Sequence, residues 1–410
     1  MLADMAHEDT DCVVVGGGPA GLVLGLVLAR AGAEVVVVEK HADFLRDFRG
    51  DTVHPSTQDL LAELGLLEEF LTLPHIDMAR VTMRYAGTEL VLADFARLPT
   101  RRKAIAFLPQ WDFLALLARA GERSGRFDLR MRTEVIGLRR DGDRITGVEA
   151  IGPEGRLTID APLVVAADGR DSRVRTEAGF VPAAVASAID VLWFRLPRSD
   201  GERVPFFHGG AGTLICIDRG DFWQIASVVP AGVWDGTAES LANTRARVRR
   251  LEPRFADRLE SLTLADVHLL RVRLERLERW YRDGLLVIGD AAHAMSPAGG
   301  VGINLAVQDA VAAGRMLGPA LAAGARPTVR DLARVQRRRA WPARVTQAVQ
   351  RGLQASLLGD VDDGHLPLPL TLLRRLPWLR HVTGRLIGLG ARPEHLGGAL
   401  RQRPAAGEHR

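Results

Sequence analysis

Residues 13–25 read VVVGGGPAGLVLG, an apolar run that meets three consecutive glycines and then continues as an apolar helix. A turn of this kind commits the chain to a strand, a phosphate-sized cradle and a helix. Gly16, Gly18 and Gly21 fit G-x-G-x-x-G. In that pattern the first glycine makes the tight turn, the second lets backbone approach a pyrophosphate, and the third lets helix and strand pack closely. Asp11–Val15 reads as the strand and Ala20–Arg30 as the helix, ended by Gly32. Residues 33–39, AEVVVVE, read as a second buried strand, so the unit is βαβ.

Amides near Pro19 and Ala20 open the helix and offer an anion their hydrogens and a partial positive charge. Glu39 ends the second strand, 18 residues after Gly21, where a carboxylate accepts hydrogen bonds from both ribose hydroxyls and repels a 2′-phosphate. Lys40 follows it on the adenosine side. Three glycines alone also suit a packed turn without ligand. The strand, the helix and Glu39 together favour a dinucleotide, and the spacing does not separate NAD from FAD.

A chain of 410 residues with 47% apolar and 25% charged residues supports about two soluble domains. Cys12 and Cys216 are the only cysteines and form no redox or metal spacing, which fits a cytoplasmic setting. The isoelectric point is about 9.6, yet the net charge is only +4. Lys40 and Lys103 are the only lysines among 54 basic residues, so the arginine excess reads as codon bias, and its scatter argues against nucleic-acid binding. No apolar run reaches the roughly 18 residues of a membrane span. The start, MLADMAHEDTD, is not a signal peptide and is expected to be a short disordered tail.

Residues 81–93 read as a hairpin turning at Ala86-Gly87, residues 109–120 as a helix, and residues 135–160 as an antiparallel meander. Further strands fall in 162–167, 188–228, 267–275 and 285–288. Helix follows over 302–317, and the last 80 residues are mostly helical. Parallel-type strands thus open, divide and close an α/β chain. A Rossmann-like domain of the glutathione-reductase type is expected from 1–79, 99–184 and 276–340. An inserted antiparallel β-sheet domain takes 80–98 and 185–275, and C-terminal helices occupy 341–410.

Two later segments sharpen the reading. Residues 164–175 are VVAADGRDSRVR, and residues 284–310 are GLLVIGDAAHAMSPAGGVGINLAVQDA. With the glycine turn and Glu39, they resemble the para-hydroxybenzoate hydroxylase type of flavoprotein monooxygenase, the single-component aromatic hydroxylases. The resemblance runs over roughly residues 9–340. It implies non-covalent FAD, NADH or NADPH as co-substrate, and hydroxylation by O2 through a flavin C4a-hydroperoxide. No metal is implied.

On that resemblance Gly289-Asp290 presents a carboxylate to the ribityl chain, and Pro297, Gly300 and Gly302 leave room for the flavin ring. Amides around Gly302, Ile303 and Asn304 stabilise the ring's N1–O2 edge. Asp168, Gly169 and Arg175 are expected near the pyrophosphate and the nicotinamide donor's path, Arg49 along the phosphates, and Gln110 beside the ribityl. His293 reads as a structural part of its loop.

The inserted sheet must shield the flavin from water. Trp193, Phe206 and Trp223, with Pro297, are its candidate substrate residues, although each aromatic also suits an ordinary core. His208 is the one candidate base in that stretch. Tyr85 and Tyr281 are the only tyrosines, so the tyrosine set of the hydroxybenzoate enzymes does not map, and a larger apolar or polycyclic substrate is expected. An FAD-dependent reductase on the same fold is the main alternative. A halogenase is less favoured, because FWQIAS does not match W-x-W-x-I-P. Residues 366–390 could form a basic amphipathic helix at a membrane surface, but packing against the FAD domain is the expectation. The remaining partners expected are a small molecule and O2, and the sequence leaves oligomeric state open.

Overall fold

The computed structural model describes residues 6–45, 52–185, 189–210, 212–296, 300–357, 366–398 and 400–401. The central strands of its first sheet are short and apolar throughout because both of their faces are covered. Cys12–Val15 and Val35–Val38 are wholly buried and pair in parallel. Val164–Ala166 and Leu285–Val287 extend the sheet on one side and Phe127–Arg130 on the other, all in parallel.

Alternation sends successive side chains to opposite faces. Val14 joins Leu22, Val27 and Val307, on the face covered by the helices Pro19–Ala31, Gln110–Glu122 and Val301–Ala322. Val13 and Val15 join Val135, Ile145 and Ile159 on the other face, beneath the meander Glu134–Asp141, Arg144–Gly152 and Gly155–Asp160. This is the Rossmann-like α/β architecture expected from the sequence.

The first described residues depart from expectation, and residues 1–5 of the same segment lie outside the described residues. Ala6–Asp9 is not a disordered tail but a strand, paired in parallel with Leu157–Asp160. Gly155–Asp160 would otherwise be an open edge, and its free backbone groups capture any extended segment nearby. Such pairing needs no apolar pattern in AHED, so the sequence carries no signal for it.

A second sheet has seven strands among the described residues. Ile189–Pro197, Phe222–Pro230 and Thr213–Asp218 are its antiparallel centre. Phe207–Gly209 continues it and pairs in parallel with Arg80–Tyr85, which forms a hairpin with Thr88–Asp94. Leu192, Phe194, Trp223 and Ile225 share its outer face with Phe255 and Leu251. Val81, Ile217 and Trp193 lie on the inner face with Ile105 and Phe107, part of a small sheet that joins Thr52–Val53 to Ile76–Met78.

Residues 366–390 form two helices rather than one, and the second also touches the first domain through His54 and Gln308. Leu368–Arg375 and Leu379–Leu389 are separate helices. Pro377 lacks an amide hydrogen and keeps Leu376 out of helical geometry, at φ −120° and ψ 78°. The second helix lies on the Thr88–Asp94 strand, where Thr383 Oγ1 donates to the Leu92 carbonyl and Gly384 comes so close that a Cβ would sit 2.3 Å from the Asp94 carbonyl oxygen. Among the described residues no helix is long and apolar enough to cross a membrane.

Candidate active site

The glycines of the first turn divide by what they serve. Gly16 has φ +108°, and a Cβ there would lie 2.5 Å from the Ala167 carbonyl oxygen. A Cβ on Gly21 would lie 1.9 Å from the Gly16 carbonyl oxygen. Both are glycine for the protein's own packing. Gly18 is different: its backbone is extended at φ −81° and ψ −176°, and a Cβ would meet no described atom within 4 Å. Gly302, the second residue of the Val301–Ala322 helix, is equally open. Among the described residues nothing demands glycine at these two positions, so the missing side chains leave room for a ligand. Both helices begin without a side-chain cap among the described residues, which leaves their first amides free for an anion or a carbonyl. The GD turn lies between their starts, where a Cβ on Gly289 would touch Ala20 and Ala306. The cradle therefore fits FAD, which could rest its pyrophosphate at Gly18–Ala20 and its flavin at Gly302–Asn304.

Glu39 is buried, and one carboxylate oxygen accepts the Gly17 amide at 2.8 Å. The other oxygen accepts the His41 amide at 3.0 Å. His41 also brings Nδ1 to it, a partner the sequence did not suggest. Lys40 is exposed beside it.

Asp290 follows the Leu285–Val287 strand and stays partly open, with Arg170 Nε donating to it at 3.0 Å. Arg170 was not foreseen. It ties the second motif to the third, since its Nη2 also donates to the Met295 carbonyl. Beneath the turn lies a wholly buried triad. Asp309 accepts the Gly289 amide at 3.2 Å and Arg339 Nε at 2.9 Å, and it meets His293 Nε2. Burial pushes the Asp309 carboxyl up, but His293 and Arg339 outweigh it and hold the group below the usual carboxylate range.

Asp168 turns inward. It accepts the Ser172 hydroxyl at 2.5 Å and the Val174 amide at 3.2 Å, and burial raises its carboxyl. Arg175 is buried too and donates to the Ala291 and Arg170 carbonyls at 3.1 and 2.7 Å. It braces one motif against the other rather than facing an open path. Gly169, by contrast, borders open space, with no described atom near a Cβ.

The flavin-side loop is held by a segment the sequence left unremarked. Thr52 Oγ1 donates to the Gly300 carbonyl at 2.9 Å. His54 Nε2 lies 3.1 Å from the same oxygen, while its Nδ1 lies 2.9 Å from the Ile387 carbonyl in the C-terminal helix. Burial lowers the His54 imidazole to about 4. Ser56 and Thr57 donate to Asn304 Oδ1 at 2.7 and 2.9 Å, so Asn304 spends its carbonyl within the protein. Ile303 is buried beside it. Gln110 opens the Gln110–Glu122 helix and is half-buried. Arg49 and Pro297 lie outside the described residues.

A cavity of about 690 Å³ opens where the three-residue strand Phe207–Gly209 stops and leaves a gap between Arg80–Tyr85 and Thr213–Asp218. Its inner end is Phe107, which pairs with Thr52 and so lies one residue from the loop carbonyl of Gly300. Phe206 also lines it and packs on Phe107, ring centres 5.7 Å apart. Trp193 stands on the inner face, and its buried indole N–H has no acceptor among the described residues.

Trp223 and His208 both lie on the outer face of the sheet. Trp223 belongs to the outer face, packed on Phe255, with Nε1 donating to Glu202 at 2.7 Å. It also lines the cavity. His208 is buried on that outer face too, its ring nitrogens 3.2 and 3.1 Å from the Leu251 and Pro205 carbonyls. It braces the sheet and is no base. Strand alternation told these side chains apart from their neighbours but not which set faces inward.

The family model described as FAD binding domain matches residues 9–349. The 6-methylpretetramide 4-monooxygenase of Streptomyces rimosus is 36% identical over 398 residues, covering 94% of this chain and 93% of its own. The 12-dehydrotetracycline 5-monooxygenase/anhydrotetracycline 6-monooxygenase of Streptomyces rimosus subsp. rimosus is 31% identical, covering 97% of this chain and 78% of its own. Among solved structures, the anhydrotetracycline hydroxylase OxyS from Streptomyces rimosus superposes with a TM-score of 0.69 at 25% identity, covering 98% of this chain and 78% of that one.

Proposed function

Since the chain belongs to the FAD-binding-domain family and is an FAD-dependent flavoprotein monooxygenase, we propose that it hydroxylates a polycyclic aromatic small molecule, with O2 as oxidant and NADH or NADPH as electron donor. The observation that carries this reading is the 690 Å³ cavity ending at Phe107, against the loop that bears Gly300 and Gly302. That volume suits several fused rings, and relatives whose names specify tetracycline-type substrates support the same size class.

FAD, when bound, supplies the oxygen-activating chemistry. The protein's own residues bind, orient and shield. Glu39 would hold a ribose, the amides after Gly18 would hold the pyrophosphate, and Asp290 would accept from the ribityl chain. The Gly302 amides favour negative charge at the flavin. Thr52 and His54 fix the loop, and Phe107 and Phe206 keep water from the reacting end of the cavity. Arg170, Arg271 and Arg273 line a groove of about 330 Å³ beside Asp290, which suits the donor's pyrophosphate. Both cysteines are free and buried, which supports a cytoplasmic setting.

The test is oxygen uptake and NAD(P)H oxidation by the FAD-loaded protein against polycyclic phenols and against hydroxybenzoates. Polycyclic phenols should stimulate both rates. Stimulation by small benzoates alone, or by no aromatic compound, overturns the reading.

A further inference from the structure

We propose that Arg203 anchors an anionic oxygen of the substrate and thereby sets which end of a fused-ring molecule meets the flavin side; this rests on reading the 690 Å³ cavity as the substrate site. The cavity wall is rich in charge, yet nearly all of it is committed elsewhere. Of its acids, Asp77 pairs with Arg102, Glu89 with Arg84 and Glu202 with Arg258. Asp218 pairs with Arg198, which settles a fourth acid and a lining arginine together. Among the other lining arginines, Arg80 pairs with Asp94, and Arg84 and Arg254 both pair with Glu252. Arg203 lines the same wall with its side chain exposed at the cavity's rim, and among the described residues its guanidinium makes no hydrogen bond or ion pair.

Its backbone, in contrast, is fixed. The Arg203 carbonyl accepts Arg254 Nη1 at 2.7 Å, and Glu252 grips Arg254 through Nε and Nη2, each at 2.7 Å. The site thus offers one uncommitted, planar, multi-donor cation on an anchored segment. That chemistry suits a carboxylate or the delocalised oxygens of an acidic phenol or enolised diketone. Phe206 follows three residues later and packs on Phe107 at the flavin end. Three extended residues span at most about 10 Å, comparable to a few fused rings. A substrate whose anionic edge rests on Arg203 therefore presents its opposite ring to the flavin side.

The experiment is calorimetric titration of the FAD-loaded protein with 1,8-dihydroxyanthraquinone and with its 3-carboxylate. The wild type should bind the carboxylate about tenfold more tightly or better, the size of one charge-assisted hydrogen bond. Arg203→Ala should bind both alike, and Arg203→Lys should keep part of the preference. Flavin absorbance should report full FAD in each variant. Equal binding of the two compounds by the wild type, or a preference that survives Arg203→Ala, overturns the role of Arg203 while leaving the cavity reading in place. If FAD is retained but neither compound binds, the cavity reading falls and the proposal falls with it.

Discussion

Replacing Gly302 by alanine should stabilise the protein without FAD and destabilise it with FAD. The added methyl group meets no described atom within 4 Å. In the cofactor-free protein it removes the entropy cost of a helical glycine, a gain of about 0.5–1 kcal/mol. In the holoprotein the methyl group enters the space assigned to the flavin. Affinity should then fall about tenfold, or 1.4 kcal/mol. At FAD one hundred times the wild-type Kd, binding stabilises the wild type by about 2.7 kcal/mol and a tenfold weaker variant by about 1.4 kcal/mol. The net effect with FAD is therefore a loss of about 0.3–0.8 kcal/mol. Thermal unfolding with and without FAD should show midpoints moving in opposite directions, and a fluorescence titration gives the affinity directly. Gly21→Ala is the control: its Cβ would lie 1.9 Å from the Gly16 carbonyl oxygen, so it should destabilise both forms. If Gly302→Ala keeps wild-type FAD affinity, or lowers both midpoints alike, the open space does not hold the flavin.

Asp290→Ala should weaken FAD roughly ten- to hundredfold, the loss of a charge-assisted hydrogen bond, while the cofactor-free fold persists; wild-type affinity in the variant would make the GD turn merely structural. Burial lowers His54 from its ordinary 6.5 to about 4, so the unfolded chain binds the extra proton between those values. Stability should then be complete above about pH 6.5 and fall by about 3 kcal/mol on acidification to pH 4, and His54→Gln should flatten that slope in urea titrations at several pH values. Trp223→Ala should cost about 3–5 kcal/mol of stability by emptying the outer core, yet leave hydrogen peroxide formed per NAD(P)H consumed unchanged. Phe206→Ala should raise that ratio, and the opposite ranking of the two variants would reverse the assignment of the sheet's faces.

Much of this protein was legible locally. The valine-rich strands, the glycine turn, Glu39 at a strand end and Asp290 after the Leu285–Val287 strand are patterns within a few residues. Apolar burial and backbone geometry write such patterns directly into sequence. Two local signals pointed the wrong way for want of context. The polar residues 6–9 were captured by an open sheet edge, and residues 366–390 were split at Pro377 into two helices, the second packed on the second sheet and on the first domain.

What only the tertiary structure decided are contacts between distant segments. Thr52 and His54 reach the Gly300 carbonyl across 248 and 246 residues, and nothing near either segment announces the other. Alternation showed that Trp193 and Phe194 oppose one another, but only the sheet's placement on the first domain put Trp193 inward and Phe194 out. The cavity depends on a strand of three residues ending early between two longer ones, and the isolation of Arg203 depends on where every neighbouring charge found its partner. Hydrophobic burial is non-directional, so sequence can say that a side chain is buried; which surface buries it follows from chain topology and register, which are properties of the whole fold.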